Sequence, residues 1–169
     1  EYHIENGGIS RFEKFRYWHK THLNKNLSKS ELRELTDNFS ELVFNEVVNS
    51  NEIKGSIDFI SKNHMNYKLW IITGTPTNEI KLILEKLKIS EFFIGVYGSP
   101  ESKTFWTEHI INKHKLDRNK TLFIGDAKTD YEAANFSSLN FALRLADYNI
   151  SYFENLNVYK FKNFLTIDL

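Results

Sequence analysis

The chain has 169 residues, enough for one domain of ordinary size or a compact domain with a small attachment. Lys plus Arg and Asp plus Glu are equal at 22 each, so no long-range attraction draws it to nucleic acid or to an anionic membrane. The absence of cysteine excludes disulfides, thiolate metal ligands and a Cys nucleophile; no apolar run approaches the roughly 20 residues of a membrane span, and the chain reads as cytoplasmic.

Residues 1–50 carry helical periodicity, which is already running at Glu1. Ile9, Phe12, Phe15 and Trp18 mark a first helix, entered through Gly7-Gly8, with Ser10 and Glu13 spaced as a capping box. Ser30 announces a second helix through Leu32, Leu35 and Phe39. Leu42, Val43 and Val47 predict a third before the break at Asn49-Ser50-Asn51. Together they predict a small antiparallel helical bundle.

From Ile53 the pattern alternates between helix and strand. Ile57, Phe59 and Ile60 predict a helix, Tyr67 to Thr73 a strand, Ile80 to Leu87 a helix, and Phe92 to Tyr97 a strand. Phe105, Trp106, Ile110 and Ile111 predict a helix, Thr121 to Ile124 a strand, Asp130 to Ala134 a helix, Asn140 to Leu145 a strand, and Val158 to Leu165 a final helix. Repeated β-then-α units predict an α/β fold with a parallel sheet, which binds ligands at the carboxyl ends of its strands. The two prolines fall in matching contexts. Thr75-Pro76 and Ser99-Pro100 each read as an N-cap hydroxyl followed by the first helical residue, an end that favours anions.

Three strand ends carry chemistry. Asp126 and Asp130, four apart at a helix start, can present two hard oxygen ligands to Mg²⁺, or can simply cap the helix and complement its dipole. Lys103 follows a turn where the dipole disfavours a cation, so it is either a solvated lysine or one with an anion to neutralise. Thr73 can donate its hydroxyl to a phosphoryl oxygen or merely end a strand. Arg11 and Lys14 share a helical face and could meet the anionic end of a substrate, or form a solvated surface. No dinucleotide fingerprint, Walker loop or His-Glu-x-x-His spacing is present.

Taken in order, Ile72-Thr-Gly-Thr-Pro76, Tyr97-Gly-Ser-Pro-Glu-Ser-Lys103 and Ile124-Gly-Asp-Ala-Lys-Thr-Asp130 resemble motifs two, three and four of the haloacid dehalogenase superfamily, in its phosphoglycolate phosphatase-like subgroup. The resemblance implies a Rossmann-like core over residues 51–169 and a small helical cap over residues 1–50. It implies an Mg²⁺-dependent phosphatase acting on a small phosphorylated metabolite through an aspartyl-phosphate. Thr73 and the Gly74 N–H would hold phosphoryl oxygens, Lys103 would steady the shared charge, Asp126 would bind the metal, and Asp130 would act beside it through water or by fixing Lys103.

The family's nucleophile and its second Asp lie on a first strand ending Asp-x-Asp-Gly, and the sequence has no such motif. Family topology sets that strand between the ones ending at Thr73 and Gly125, and losing it costs of order 1 kcal/mol for each buried backbone group left unpaired. The chain is therefore expected to be a fragment of a longer protein, or to have that strand supplied or lost in a way the sequence hides. A dehalogenase would not need the Asp126/Asp130 pair; a phosphomutase, a phosphonate hydrolase and a catalytically silent binding or regulatory module on the same core remain as alternatives. The 169 residues alone are expected not to hydrolyse an aryl phosphate. Mg²⁺-dependent release that Asp126→Ala abolishes would overturn that expectation.

Overall fold

Ser10 and Ser28 begin the two helices of the N-terminal part by different means. Ser10 Oγ accepts from the Glu13 N–H at 3.4 Å, starting α1, Arg11–Leu23. Ser28 forms a reciprocal capping box, its Oγ accepting from Glu31 N while Glu31 accepts from Ser28 N, and starts α2, Lys29–Val48. The computed structural model describes residue 2 and residues 6–167; the helical opening expected at Glu1 lies outside them.

Two helices expected between Ser30 and Val47 are thus one. Ser40, which on a solvent face would read as a break, is turned inward, with Thr36 O at 3.0 Å and Glu79 as the two acceptors within reach of its one hydroxyl hydrogen. α1 and α2 form a helical hairpin, with Phe15 edge-on to Phe39 at 5.8 Å.

The chain divides into two compact units that do not follow the expected split near residue 50. One comprises residues 9–51 and 69–100; the other comprises residues 1–8, 52–68 and 101–169. In the first, the helical hairpin accompanies β1 (Trp70–Pro76), α3 (Thr77–Lys86) and β2 (Gly95–Ser99). The strands pair in parallel, Trp70 opposite Gly95 and Ile72 opposite Tyr97, and the register then slips before Pro76 meets Ser99. Leu32, Ile83, Leu84 and Ile89 are buried here.

The expectation of N-caps at Thr75 and Ser99, each with proline as first helical residue, is corrected. Pro76 ends β1 and itself occupies the cap position of α3, with no side-chain cap. Ser99 ends β2, and the next helix starts later, capped by Ser102, whose Oγ accepts from Phe105 N. Strand pairing holds Pro76 outside the helix, and Pro100 falls in the turn between β2 and the Ser102 cap.

The second unit contains α4 (Ser56–Asn63), α5 (Lys103–His114), β3 (Leu122–Gly125), α6 (Lys128–Phe136), β4 (Asn140–Arg144) and β5 (Tyr159–Phe161). β3, β4 and β5 form a parallel sheet in that order. Its core gathers Ala134, Phe141, Leu143 and Phe153, flanked by Phe123, Tyr131 and Leu145. The architecture is α/β with parallel sheets, as the alternation predicts.

β5 replaces the helix expected over Val158 to Leu165. Val158, Phe161 and Leu165 have helical spacing, yet Ala142 and Arg144 pair with Tyr159 and Phe161, and Leu145 N donates to Phe161 O at 2.7 Å. Asn163 Oδ1 then accepts from Leu165 N and turns the chain away. Among the described residues no helix is long and apolar enough to cross a membrane.

A buried ion pair joins three helices of the first unit. Arg11 Nη1 lies 2.6 Å from Glu79 Oε2, Arg11 Nη2 lies 2.9 Å from Glu79 Oε1, and the same Nη1 reaches Ser40 Oγ at 2.8 Å. The side chains are only 13% and 7% exposed, and the guanidinium also lies 4.8 Å from the Phe39 ring centre. Arg11→Met should therefore destabilise the protein by about 3–5 kcal/mol, because Glu79 keeps a buried, unpaired charge. In urea unfolding, Arg11→Met with Glu79→Leu should recover most of that loss.

Hydrogen bonds from Lys25 and then Ser28 hold the Glu31 carboxyl down at about 2, from its ordinary 4.5. A depressed folded-state value means that its support for the α2 start is complete above pH 4.5 and disappears as pH falls through about 2. Amide NMR shifts of Ser28 and Glu31 should titrate together over that interval, and Glu31→Gln should remove the transition.

Candidate active site

The turn after β3 is built around a carboxylate folded back on its own backbone. Asp130 Oδ2 accepts from Asp126 N at 3.2 Å and from Ala127 N at 3.0 Å, satisfying two N–H groups at the start of α6. Gly125 makes the room. A Cβ there would lie 2.3 Å from Asp130 Cβ and 2.5 Å from its Cγ.

Asp130 Oδ1 takes the Lys103 ammonium at 2.5 Å, with the two side chains 10% and 7% exposed. Lys103 is the first residue of α5, where the dipole repels it, and Asp130 supplies the balancing charge. Gly8, with φ +82°, covers this pair from the N-terminal side. A Cβ on it would stand 2.2 Å from Thr129 Oγ1 and 3.3 Å from Lys103 Nζ.

Asp126 has a different environment. Its carboxylate is 38% exposed at the carboxyl end of β3, and among the described residues only Oδ2 takes hydrogen bonds, from Arg144 Nη2 at 3.0 Å and from the Tyr148 hydroxyl. Asn149, buried, ties the neighbouring strand ends by donating to Asp126 O at 2.8 Å and Arg144 O at 3.0 Å, while accepting from Ala146 N. Burial first, then the bond to Asp126, pushes the Tyr148 phenol above its ordinary pKa, so it remains a proton donor at neutral pH.

These surroundings separate the two acids. Asp130 has both oxygens committed to protein donors, whereas Asp126 Oδ1 takes no hydrogen bond among the described residues and could meet a hard, hydrated cation. Among the described residues no group of three His, Cys, Asp or Glu could hold a metal ion. Asp126 offers one carboxylate oxygen at the strand end, and Mg²⁺ is commonly bound by one or two carboxylates together with water and phosphate.

Thr73 and Gly74 belong to the other unit, in the irregular stretch of β1. Thr73 Oγ1 accepts from Thr75 N at 3.2 Å, which leaves its hydroxyl hydrogen to donate. That unit also holds a cleft of about 970 Å³, lined by Phe12, Leu32, Phe44 and Leu82 with Arg16 and Arg33. Arg11, expected to meet a substrate's anionic end, has its fork committed to Glu79 instead, since a bidentate carboxylate outcompetes solvent for a guanidinium. Lys14 is buried, and burial lowers its pKa.

Arg144, Tyr148 and Asn149 were not singled out by the sequence reading. Leu143 pairs with Gly125, so the residues following both fall at one sheet edge, a neighbourhood set by strand order and not by any local motif. Glu79 gave no signal beyond an acid in a first helical turn.

Residues 2–143 match the haloacid dehalogenase-like hydrolase family. The phosphoglycolate phosphatase of Photorhabdus laumondii is 31% identical over 139 residues, which are 78% of this chain and 57% of that protein, so the chain spans little more than half the length of this curated relative. A predicted phosphoglycolate phosphatase from Haemophilus somnus 129PT superposes with a TM-score of 0.70 at 18% identity, over 95% of this chain and 76% of that one. The HAD-hydrolase YfnB from Bacillus subtilis, solved bound to magnesium, superposes with a TM-score of 0.55 at 14% identity, over 95% and 92%. With the Lys103–Asp130 pair and the Gly-Asp turn in place at the strand ends, this chain belongs to the haloacid dehalogenase-like hydrolases.

Proposed function

We propose that the whole protein is an Mg²⁺-dependent phosphatase acting on a small phosphorylated metabolite, a reaction that these 169 residues alone are expected not to turn over. The observation that carries this reading is the buried Lys103–Asp130 pair beside a half-exposed Asp126 at the end of β3. It is supported by the phosphoglycolate phosphatase relative and by the magnesium named for YfnB.

Each residue then has a role set by its surroundings. Lys103 shares its charge with phosphoryl oxygens, an interaction worth several kcal/mol in a site shielded from water. Asp130 is a positioning residue, since it fixes Lys103 on one oxygen and the Asp126 backbone on the other. Asp126 holds the metal. When bound, magnesium neutralises phosphate charge and aligns the group for attack. In its own unit, Thr73 donates its hydroxyl to a phosphoryl oxygen, with the Gly74 N–H beside it. The resemblance further implies an aspartyl-phosphate intermediate.

Phosphate release from a panel of phosphorylated metabolites, with 2-phosphoglycolate first, tests the reading on the natural protein. Release should need Mg²⁺, and Asp126→Ala or Lys103→Ala should reduce kcat by about 10²–10³-fold, as removal of one charge-stabilising group does elsewhere. Absence of release across the panel would favour a silent binding module. Full activity of Asp126→Ala would remove the metal role.

A further inference from the structure

Two cationic or proton-donating groups converge on one oxygen of a carboxylate that the proposed function assigns to a metal. Arg144 Nη2 sits 3.0 Å from Asp126 Oδ2, the Tyr148 hydroxyl donates to the same oxygen, and Arg144 Nη2 and Tyr148 Oη are themselves 3.0 Å apart. The Arg144 guanidinium carbon lies 6.0 Å from the Tyr148 ring centre. A guanidinium in that position already compensates the carboxylate charge. A divalent ion on the same group would stand within a few ångströms of an arginine that never deprotonates.

We propose that Arg144, steadied by Tyr148, is a removable internal counter-ion for Asp126, so that Arg144 sets how tightly this carboxylate takes a divalent cation. The backbone of the clasp is tied, and the Tyr148 part of its head is exposed. Buried Asn149 bonds both Asp126 O and Arg144 O and so fixes the two strand ends, while Tyr148 lies in an exposed position on the following turn. Cation binding then requires only that the guanidinium leave Oδ2 and rest against the Tyr148 ring, with no change in the sheet. Arg144 is a positioning residue in this scheme, acting on the ion through Asp126. The inference rests on the reading of Asp126 as the cation's carboxylate.

Mn²⁺ alone is the probe, titrated into the chain and followed by water-proton relaxation, a readout independent of turnover. Arg144→Gln should tighten Mn²⁺ binding at least about tenfold, Tyr148→Phe about threefold, and Arg144→Lys should fall nearer the wild type because it keeps the charge without the fork. Asp126→Asn should abolish the binding. If Arg144→Gln and Tyr148→Phe bind Mn²⁺ no more tightly than wild type while Asp126→Asn does not bind, the counter-ion role is overturned and the metal role of Asp126 stands. If Asp126→Asn binds as well as wild type, or if no chain binds, the metal reading fails and the inference with it. Circular dichroism reports folding of each variant; should Arg144→Gln unfold, the exposed Tyr148→Phe substitution decides the matter.

Discussion

The Asp130 carboxylate organises one end of the β3–β4–β5 sheet. By accepting the N–H groups of Asp126 and Ala127 it closes the turn after β3, and by taking Lys103 it draws the start of α5 to the same place. A buried lysine without an acid would lose its charge or its place, and a helix start without an acceptor would leave N–H groups unpaired. One side chain resolves both problems, and it can do so only because Gly125 has no Cβ. The geometry around Asp126 is a by-product of that arrangement.

The same economy appears in the other unit, where Arg11, Glu79 and Ser40 form a polar cluster among apolar helices. In both units a buried acid is paired with a buried cation. The two pairs differ in what they leave exposed. Lys103–Asp130 stands beside a carboxylate open to solvent, whereas Arg11–Glu79 occupies its own fork fully and offers no charge to a ligand.

Much of the second unit was legible because its strands are short apolar runs ending in Gly or polar turns: Leu122–Gly125 and Asn140–Arg144 lie within a residue or two of their expected limits. β5 was not legible, because three residues carry too little pattern, and Val158, Phe161 and Leu165 fall at helical spacing; pairing with β4 decided the matter. The helical hairpin misled for another reason. Ser40 reads as polar surface, and only the position of Glu79, distant in sequence, shows why it faces inward. At the candidate site, motif order singles out Lys103, Asp126 and Asp130, and the structure adds the Lys103–Asp130 contact, while Arg144 and Tyr148 depend on which strands are neighbours, a fact that no local pattern carries.

The fork between Arg11 and Glu79 also gives the helical hairpin a direction. Apolar faces tolerate sliding and small rotations, since a methyl group is indifferent to the angle of its neighbour. Two parallel N–H···O bonds are not indifferent, because both are kept at only one angle and one height. The approach of α1 to α3 is therefore keyed by one planar contact, from Arg11 to Glu79.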